Sequence, residues 1–563
     1  MRSLAKQSFE FHRALESPSA FMRREWKSIA FFGGGFCLVM AALVLWLDPA
    51  FFYPRLQTDT LLYYLKAKSL VETGSTSARL AVNLDPYAYT AMPGVLRAPF
   101  IAIFHEFDDQ WRAMQLLNIP ILASVAVMSA YVFSWVVPRR FHWLTVAFAF
   151  VFTALSPVWI ANVFSPLVDA PYAAASLLAL ILSATILCDP RPPGRMKGSI
   201  ALYAAVFTLV FLLRFTGPVL LVFAGTLAYG RWHGQAMSPS TKRILTIGPI
   251  LALVLLVAFN FQAIFGRFLI ELASLLFRGE KLGMIVNLFG LAVPDQIIPS
   301  FHLGFSEPPV VDTFYTQFTH RTRDAVWTAF GFAISAVVVS GMWKSRAKFL
   351  PEILYILAPL AILTLMLPST PRYLMSYQAF LWLFFYEGSR SLFRKIVPSG
   401  SLSRRAPYIA VAAGVAVVSV AGGLRWYRVA GTGADRSLAV SFVQAPQYIS
   451  DVSTTFRSLR EFVMTLPRNS TLLIGGRGEV GRWTAISNRL YYQPDSALIS
   501  VVGHKEVYLL LECGTLEVCQ AFPEWKNRAL DRLCMFGEFQ YDSVFAVRTK
   551  WARAEVLRVR PST

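Results

Sequence analysis

The run IAFFGGGFCLVMAALVLWL at residues 29–47 holds 19 consecutive residues without a charged side chain. A helix of about 20 apolar residues is long enough to cross the hydrocarbon core of a bilayer, which is about 30 Å thick. A polar stretch begins directly afterwards at Asp48, and no small-residue motif of the kind that ends a signal peptide separates the two. We therefore predict a membrane-spanning helix that is retained in the mature protein.

Apolar runs of similar length recur along most of the chain. Of its 563 residues, 55% are hydrophobic and only 15% are charged, which is not the composition of a soluble protein. Two runs, 199–213 and 219–229, are short and meet at a tight turn, residues 214–218. Together the runs predict an α-helical polytopic membrane protein with about eleven transmembrane helices. The other runs are 114–137, 143–163, 171–187, 244–265, 325–343, 349–367, 374–386 and 408–424.

The basic residues indicate the orientation of these helices. The formal net charge is +20, but the excess Lys and Arg residues lie beside apolar runs rather than along one polar helix face. This distribution favours a topology signal over a nucleic-acid partner, because positive charge is retained on the cytoplasmic side. A cytoplasmic N-terminus makes every inside segment short and basic. These segments hold Arg23, Arg24, Lys27, Arg139, Arg140, Arg191, Arg195, Lys197, Arg231, Lys242, Arg243, Lys344, Arg346, Lys348, Arg390, Arg394, Lys395, Arg404 and Arg405.

This orientation divides the chain into three parts. We predict a cytoplasmic N-terminal segment at residues 1–28 and a transmembrane domain at residues 29–424. An odd number of spans places two long segments on the other side, the first outer loop (residues 48–111) and the second outer loop (residues 266–324). Everything after residue 424 lies on that side too, which predicts a multi-pass protein of a bacterial-type inner membrane with a periplasmic C-terminus.

Residues 425–563 have mixed charge and short β-rich runs, typical of a small soluble α/β domain. The expected strands are 470–474, 507–511 and 543–547. Helices are expected at 454–465, after a Ser/Thr cap, and at 523–535, where Pro and Glu occupy the first turn. Cys513, Cys519 and Cys534 allow one disulfide, whose partners the spacing does not assign.

Polar residues that could carry chemistry are concentrated in the first outer loop. Residues 57–70 read QTDTLLYYLKAKSL, and their apolar spacing suits an amphipathic helix that lies along the membrane interface. Asp59 lies at the start of this helix, where the helix dipole favours a carboxylate. An N-capping role without further function is an equal alternative for Asp59.

The order of motifs around this helix resembles a known superfamily. One span is followed by D-x-x-x-Y-Y-x-x-A-x-x-L-x-x-x-G at residues 59–74, then by YAY at 87–89 and MPG at 92–94 before the second span. This order resembles the GT-C superfamily of integral-membrane glycosyltransferases, which includes protein O-mannosyltransferases, lipid A aminoarabinose transferases and dolichyl-phosphate-mannose-mannosyltransferase-like proteins. SPLVDAP at 165–171, LRFTGP at 213–218 and PSTPRY at 368–373 add to the resemblance, and all three fall at predicted outer ends of spans.

The resemblance implies that Asp59 is the catalytic base. Glycosyl transfer from a polyprenyl-phosphate sugar needs a carboxylate that accepts the proton of the attacking hydroxyl, and cationic groups that stabilise the departing phosphate. Asp169 is the second carboxylate of interest, because an acidic group at the end of apolar spans is costly without a partner or water. The candidate substrate-binding residues are Asp169, Arg372, Tyr373, Arg214, Arg97 and Tyr63, with Arg372 the leading one for phosphate.

Each of these residues also has a simpler interpretation. Asp169 could cap the fourth span, and the arginines could extend to lipid headgroups. Lys66 and Lys68 are expected to meet lipid phosphate rather than substrate. Thr60 stands where many relatives have a second acidic residue, which argues against a metal-dependent mechanism. We therefore predict no certain cofactor and no metal ligands, and a divalent cation stays an open alternative.

The function predicted from the sequence is an inverting glycosyltransferase at the outer face of the inner membrane. Its partners are a polyprenyl-phosphate-linked sugar donor, membrane lipid, and a hydroxyl acceptor that is a glycan, a lipid or a protein. A transporter or lipid flippase is the main alternative, because several spans with charges at their edges also mark translocation routes. A non-catalytic scaffold whose C-terminal domain binds partners is the second alternative.

Overall fold

The computed structural model is mostly α-helical, with one small β-sheet near the C-terminus. It describes residues 2–55, 58–75, 92–164, 168–189, 197–214, 217, 219–234, 285–299, 301, 322–366, 371–396, 445–475, 491–492, 506–513, 519, 522–534, 539–550 and 552–561. The helices are α1 Arg2–Ala14, α2 Pro18–Trp46, α3 Thr58–Thr73, α4 Met92–Ile103, α5 Phe107–Ser134, α6 His142–Leu155, α7 Pro157–Phe164, α8 Asp169–Cys188, α9 Lys197–Leu213, α10 Val219–Gly234, α11 Ile285–Asp295, α12 Thr322–Ser345, α13 Leu350–Met366, α14 Gln378–Ile396, α15 Ala445–Thr465 and α16 Phe522–Cys534.

Four of the described helices are long and apolar enough to cross a membrane: α2, α5, α8 and the part of α12 at Ala325–Ser345. Each overlaps a predicted apolar run. The runs 199–213, 219–229 and 349–367 fall on the shorter helices α9, α10 and α13. The runs 244–265 and 408–424 lie outside the described residues, so the total of about eleven spans stays a prediction.

Three helix boundaries differ from those predicted. α2 begins at Pro18, well before residue 29, because the Ser17 side chain caps it by accepting a hydrogen bond from the Ala20 amide. The run 143–163 is divided between α6 and α7, since Pro157 lacks the N–H that a continuous helix requires. The run 374–386 begins as a 3-10 helix, Pro371–Tyr377, and α14 starts at Gln378.

The helical core is built around α5, which packs against α2, α6, α8 and α14. α12 and α14 cross at very short range, and glycine makes this approach possible. A Cβ atom at Gly341 would overlap the carbonyl oxygen of Phe384, and one at Gly388 would overlap the carbonyl oxygen of Val337. Small residues at such crossings let two helix backbones approach closely and gain dispersion contacts.

The C-terminal strands are β1 Thr471–Gly475, β2 Tyr491–Tyr492, β3 Val507–Cys513, β4 Phe539–Arg548 and β5 Arg553–Pro561. They form one five-stranded sheet in the order β2-β1-β3-β5-β4. β1 pairs in parallel with β2 and β3, whereas β5 is antiparallel to both β3 and β4. α15 packs against β4 and β5, and its buried residues belong to the same apolar cluster as the helical core. We call α15, α16 and this sheet the C-terminal unit.

The three strands and two helices expected in this unit are all present. The predicted start of the first helix at residue 454 is wrong, since α15 begins at Ala445. The Ser/Thr pair at 453–454 resembles an N-cap in the sequence but lies inside the helix. The residues before this pair therefore give no sequence signal of a helix start. The disulfide that the cysteine count allowed joins Cys513 to Cys519.

α1 lies against α10 and α13, and a buried ion pair holds it there. The Nε2 atom of His12 is 2.5 Å from Oε1 of Glu352 on α13, and both side chains are fully buried. The Nδ1 atom of His12 is 2.7 Å from the carbonyl oxygen of Ser8, and the Ser8 hydroxyl donates to the carbonyl of Lys348 at 2.7 Å. The N-terminal helix is therefore an integral part of the helical core.

This pair predicts a dependence of stability on pH. Burial alone would lower the pKa of His12, but the charge and hydrogen bond of Glu352 outweigh it, so the net pKa is raised above the ordinary value of 6.5. A raised pKa in the folded state stabilises the fold fully below about pH 6.5, and the contribution is lost as pH rises through the folded-state value. We expect His12→Ala to lower the unfolding free energy by about 3 kcal/mol at pH 6 and by less at pH 9.

Dye-monitored thermal unfolding in detergent micelles between pH 6 and pH 9 measures this difference. Glu10→Gln is the matched control, because Glu10 lies on the exposed face of α1 and pairs with the exposed Lys6 at 3.9 Å. A His12→Ala protein that unfolds at the parental temperature across this pH range would show that the pair does not stabilise the fold.

Candidate active site

Asp59 is the second residue of α3, as the sequence predicts, and its side chain lies outside the described part of the structure. The rest of α3 departs from expectation, because residues 63–69 are all buried instead of alternating between lipid and water. Lys66 and Lys68 are only 2% and 8% exposed, so the expectation that they face lipid phosphate is wrong. The reason is α4, which packs across α3 and covers it.

Gly94 allows α4 to come this close. A Cβ atom at this position would lie 2.9 Å from the Cβ of Lys66, nearer than side chains tolerate. The same packing brings Arg97 of α4 to Tyr63 of α3, with the guanidinium carbon 5.2 Å from the ring centroid. The Nη1 atom of Arg97 also donates to the carbonyl of Pro93 at 2.7 Å. Two predicted binding residues, Arg97 and Tyr63, are thus in contact.

Arg97 is only 7% exposed although it carries a charge. Burial lowers the pKa of Arg97 to about 10, so the guanidinium remains cationic at neutral pH. A buried cation with a planar fork of donors is the arrangement that proteins use for phosphate and carboxylate groups. α4 therefore places a buried positive charge beside α3, the helix whose second residue is Asp59.

The second pair of predicted residues, Asp169 and Arg214, also meets. Asp169 is 2% exposed in the first turn of α8, and its Oδ1 atom accepts a hydrogen bond from Nη2 of Arg214, which follows α9. The N-cap of α8 is Val168, so Asp169 is not the capping residue. The guanidinium carbon of Arg214 lies 5.4 Å from the ring centroid of Tyr172. Asp169 thus belongs to an ion pair that joins the start of α8 to the end of α9.

Arg372 and Tyr373 belong to the 3-10 helix Pro371–Tyr377, and their side chains lie outside the described part of the structure. Sequence reasoning missed a buried polar residue, Asn162, that contacts this helix. Asn162 of α7 is 1% exposed, and its Nδ2 atom is 3.6 Å from the sulfur of Met375. Its Oδ1 atom accepts from the Ala170 amide of α8 at 3.2 Å. The available signal was an amide side chain within an otherwise apolar run.

The segments that carry these residues are neighbours. α3 packs on α4, α4 on α9, α9 on α8, and α8 on the 3-10 helix Pro371–Tyr377. The described residues contain no group of three or more His, Cys, Asp or Glu side chains that could hold a metal ion. Asp169 already shares its charge with the Arg214 guanidinium, which opposes a second cation at the same carboxylate. Two pairs of buried polar residues therefore lie on adjoining helices.

Comparison with known proteins gives structural matches only. No protein-family model and no curated protein matches the sequence. The fold is similar to ArnT from Cupriavidus metallidurans bound to undecaprenyl phosphate, at 12% identity and a TM-score of 0.47, over 93% of this chain and 98% of ArnT. The apo state of ArnT gives the same values. The archaeal oligosaccharyltransferase AglB from Archaeoglobus fulgidus, in complex with an inhibitory peptide and a dolichol-phosphate, is similar at 11% identity and a TM-score of 0.44, over 93% of this chain and 74% of AglB.

Proposed function

We propose that this protein is a GT-C-type membrane glycosyltransferase that moves a sugar from a polyprenyl-phosphate donor to a hydroxyl acceptor at the outer face of a bacterial-type inner membrane. The observation that carries the proposal is the adjacency of the motif-bearing segments. The outermost motif residues, Asp59 and Arg372, are 313 positions apart in the sequence. Yet α3, α4, α9, α8 and the helix Pro371–Tyr377 pack one against the next.

The proposed reaction is a single displacement with inversion at the anomeric carbon. The acceptor oxygen bonds to the anomeric carbon while the bond from that carbon to the phosphate oxygen breaks. Asp59 accepts the proton of the acceptor hydroxyl, and the polyprenyl phosphate leaves with the bonding electron pair. The carboxylate acts as a general base and forms no covalent bond with the sugar.

The leaving phosphate gains negative charge as the bond breaks, so fixed cations near it lower the barrier. Arg372 is the leading candidate, because it belongs to the PSTPRY motif at 368–373 and lies on a helix that packs against α8. Arg97 is a second cation, on α4 beside α3, and it is oriented by Tyr63. Arg214 orients Asp169 at the start of α8. Asp169 and Tyr373 would position the acceptor and the sugar.

The polyprenyl tail of the donor would enter laterally between helices and remain in lipid. The hydroxyl acceptor would arrive from the aqueous side, where the two outer loops would form the cavity. This arrangement requires the N-terminus in the cytoplasm and the C-terminal unit in the periplasm, as the basic segments predict.

Arg372→Ala is expected to raise the KM for the donor about 10- to 100-fold, because a hydrogen bond to a charged group contributes about 1.5–3 kcal/mol. Arg372→Lys should restore part of this affinity, since a point charge replaces a bidentate fork. Initial rates against donor concentration measure the effect. Arg394→Ala, at the exposed far end of α14, is the matched control. A parental KM in Arg372→Ala protein would reassign Arg372 to lipid headgroups.

The test of the proposed function has two steps. Lipid extracted from the purified protein is analysed by mass spectrometry, and we expect a polyprenyl phosphate enriched over the bulk phospholipids. The protein is then reconstituted with a polyprenyl-phosphate hexose or pentose, and free polyprenyl phosphate is measured over time with and without hydroxyl acceptors. Translocation of the intact donor across vesicles without sugar transfer would replace the proposal with the flippase alternative.

A further inference from the structure

The two ends of the first outer loop are tied to each other. Tyr53 lies in the 3-10 helix Pro49–Arg55, just before α3, and Asp108 lies in the first turn of α5. The Tyr53 hydroxyl donates a hydrogen bond to Oδ1 of Asp108, although the two residues are 55 positions apart in the sequence. Tyr53 is 1% exposed and the Asp108 side chain 32% exposed, so the donor of this bond is buried and its acceptor is half-buried. The entry and the exit of the loop thus meet at one point.

A residue of the C-terminal unit joins this point. Nη1 of Arg460, on α15, donates to Oδ2 of Asp108 at 2.9 Å and to the Tyr53 hydroxyl at 3.1 Å. Its Nη2 atom donates to Oε2 of Glu106 at 3.2 Å. The Arg460 side chain is only 18% exposed, whereas isolated surface ion pairs are solvated and contribute little. One guanidinium therefore binds both ends of the loop.

The same point is connected to α3. The ring centroid of Phe107 lies 5.9 Å from that of Tyr53 and 5.1 Å from that of Tyr64 on α3. The Tyr64 hydroxyl donates to Oε1 of Gln110 at 2.5 Å, and the Nε2 atom of Gln110 donates to the carbonyl of Phe104 at 2.7 Å. α3 is thus attached to the start of α5 by an aromatic contact and by a buried hydrogen bond, and Arg460 holds that start.

We infer that Arg460 is a positioning residue that fixes α3, and with it Asp59, from the C-terminal unit. This inference rests on the proposed function, because its importance for catalysis depends on Asp59 being the base. The role assigned to Arg460 is to position α3, because its hydrogen-bond partners are residues of the first outer loop. It acts by keeping both anchors of α3 together, and a displacement of a catalytic group by about 1 Å is enough to lower a rate about 100-fold.

The experiment compares the full-length protein with Arg460→Ala, Arg460→Lys and Tyr53→Phe. Arg457→Ala is the matched control, because Arg457 lies one turn earlier on α15 and pairs with Asp48 of the same loop, but its side chain is 58% exposed. Amide hydrogen exchange of residues 58–73 measures how strongly the α3 backbone is protected against local opening. Steady-state sugar transfer gives kcat and KM separately. Thermal unfolding reports global stability.

We expect Arg460→Ala to speed exchange across residues 58–73 about tenfold and to lower kcat about 10- to 100-fold, with the donor KM changed less than about threefold. Arg460→Lys should recover part of both effects, because it keeps the charge and loses the fork. Arg457→Ala should leave exchange and kcat near the parental values.

Unchanged exchange of residues 58–73 in Arg460→Ala protein would overturn the inference, whether or not the parental protein transfers sugar. Faster exchange that is confined to α15 would do the same. If the parental protein transfers no sugar while Arg460→Ala still loosens α3, the proposed function fails and the link between Arg460 and α3 stands. Faster exchange with unchanged kcat would also overturn the positioning role.

Discussion

Asp59→Asn protein is expected to fold and insert normally, to bind polyprenyl phosphate, and to transfer sugar about 10²- to 10⁴-fold more slowly than the parental protein. Asparagine has nearly the same size as aspartate, and Asp59 lies within the first turn of α3, so the start of α3 should keep its structure and lose only a charge–dipole interaction. It cannot accept the proton of the acceptor hydroxyl. The substitution therefore separates a structural role of Asp59 in the first turn of α3 from its role as a base.

Two measurements decide this prediction. The free energy of unfolding should change by no more than the interaction of a first-turn carboxylate with the helix dipole, about 1 kcal/mol or less. Sugar transfer under saturating donor should fall by the factor expected for a lost base. Asp59→Glu is the informative companion, because it keeps the base and displaces it by one methylene. Sugar transfer near the parental rate in folded Asp59→Asn protein would remove the catalytic assignment and favour the transporter alternative.

Asp169→Ala is expected to lower the unfolding free energy by about 3 kcal/mol, because it removes the buried carboxylate that accepts from Arg214. Asp169→Asn should cost less, since the amide oxygen still accepts a hydrogen bond from the guanidinium. The double variant Asp169→Ala, Arg214→Leu should regain much of the stability, because an apolar pair replaces the broken ion pair. Chemical or thermal unfolding in micelles measures all three variants.

The double variant also tests the function of the pair. If Asp169 and Arg214 position substrate, the stable double variant should still transfer sugar poorly. Parental transfer by this variant would show that the pair only stabilises the junction of α8 and α9. An Asp169→Ala protein that is as stable as the parental protein would contradict the buried ion pair itself.

The helices were largely predictable from the sequence, because bilayer thickness dictates the length of an apolar run. The meeting of Asp169 with Arg214 was also within reach, since both residues lie at predicted outer ends of adjacent spans. The burial of α3 was not. Periodicity assigns one face of a helix to lipid or water, and nothing in residues 58–73 signals that α4 will cover the other face.

The contacts of Arg460 were beyond sequence reasoning for a different reason. Arg460 and Asp108 are 352 positions apart, and neither belongs to a recognisable motif. Arginine on a soluble helix is most often solvated, so composition gives no reason to single out this residue from Arg457 one turn earlier. Only the docking of α15 against the first outer loop distinguishes the two side chains.

The bond between Tyr53 and Asp108 also has a consequence for how this protein could diversify. Once the ends of a loop are held together, the entropy of closing it grows only with the logarithm of its length, so each doubling costs about 0.6 kcal/mol. The Tyr53–Asp108 bond and the packing of α3 on α4 lie outside residues 76–91, so changes in the length of that stretch would leave both contacts in place. Under the proposed function, that stretch could therefore vary to suit new acceptors without moving α3 or α4.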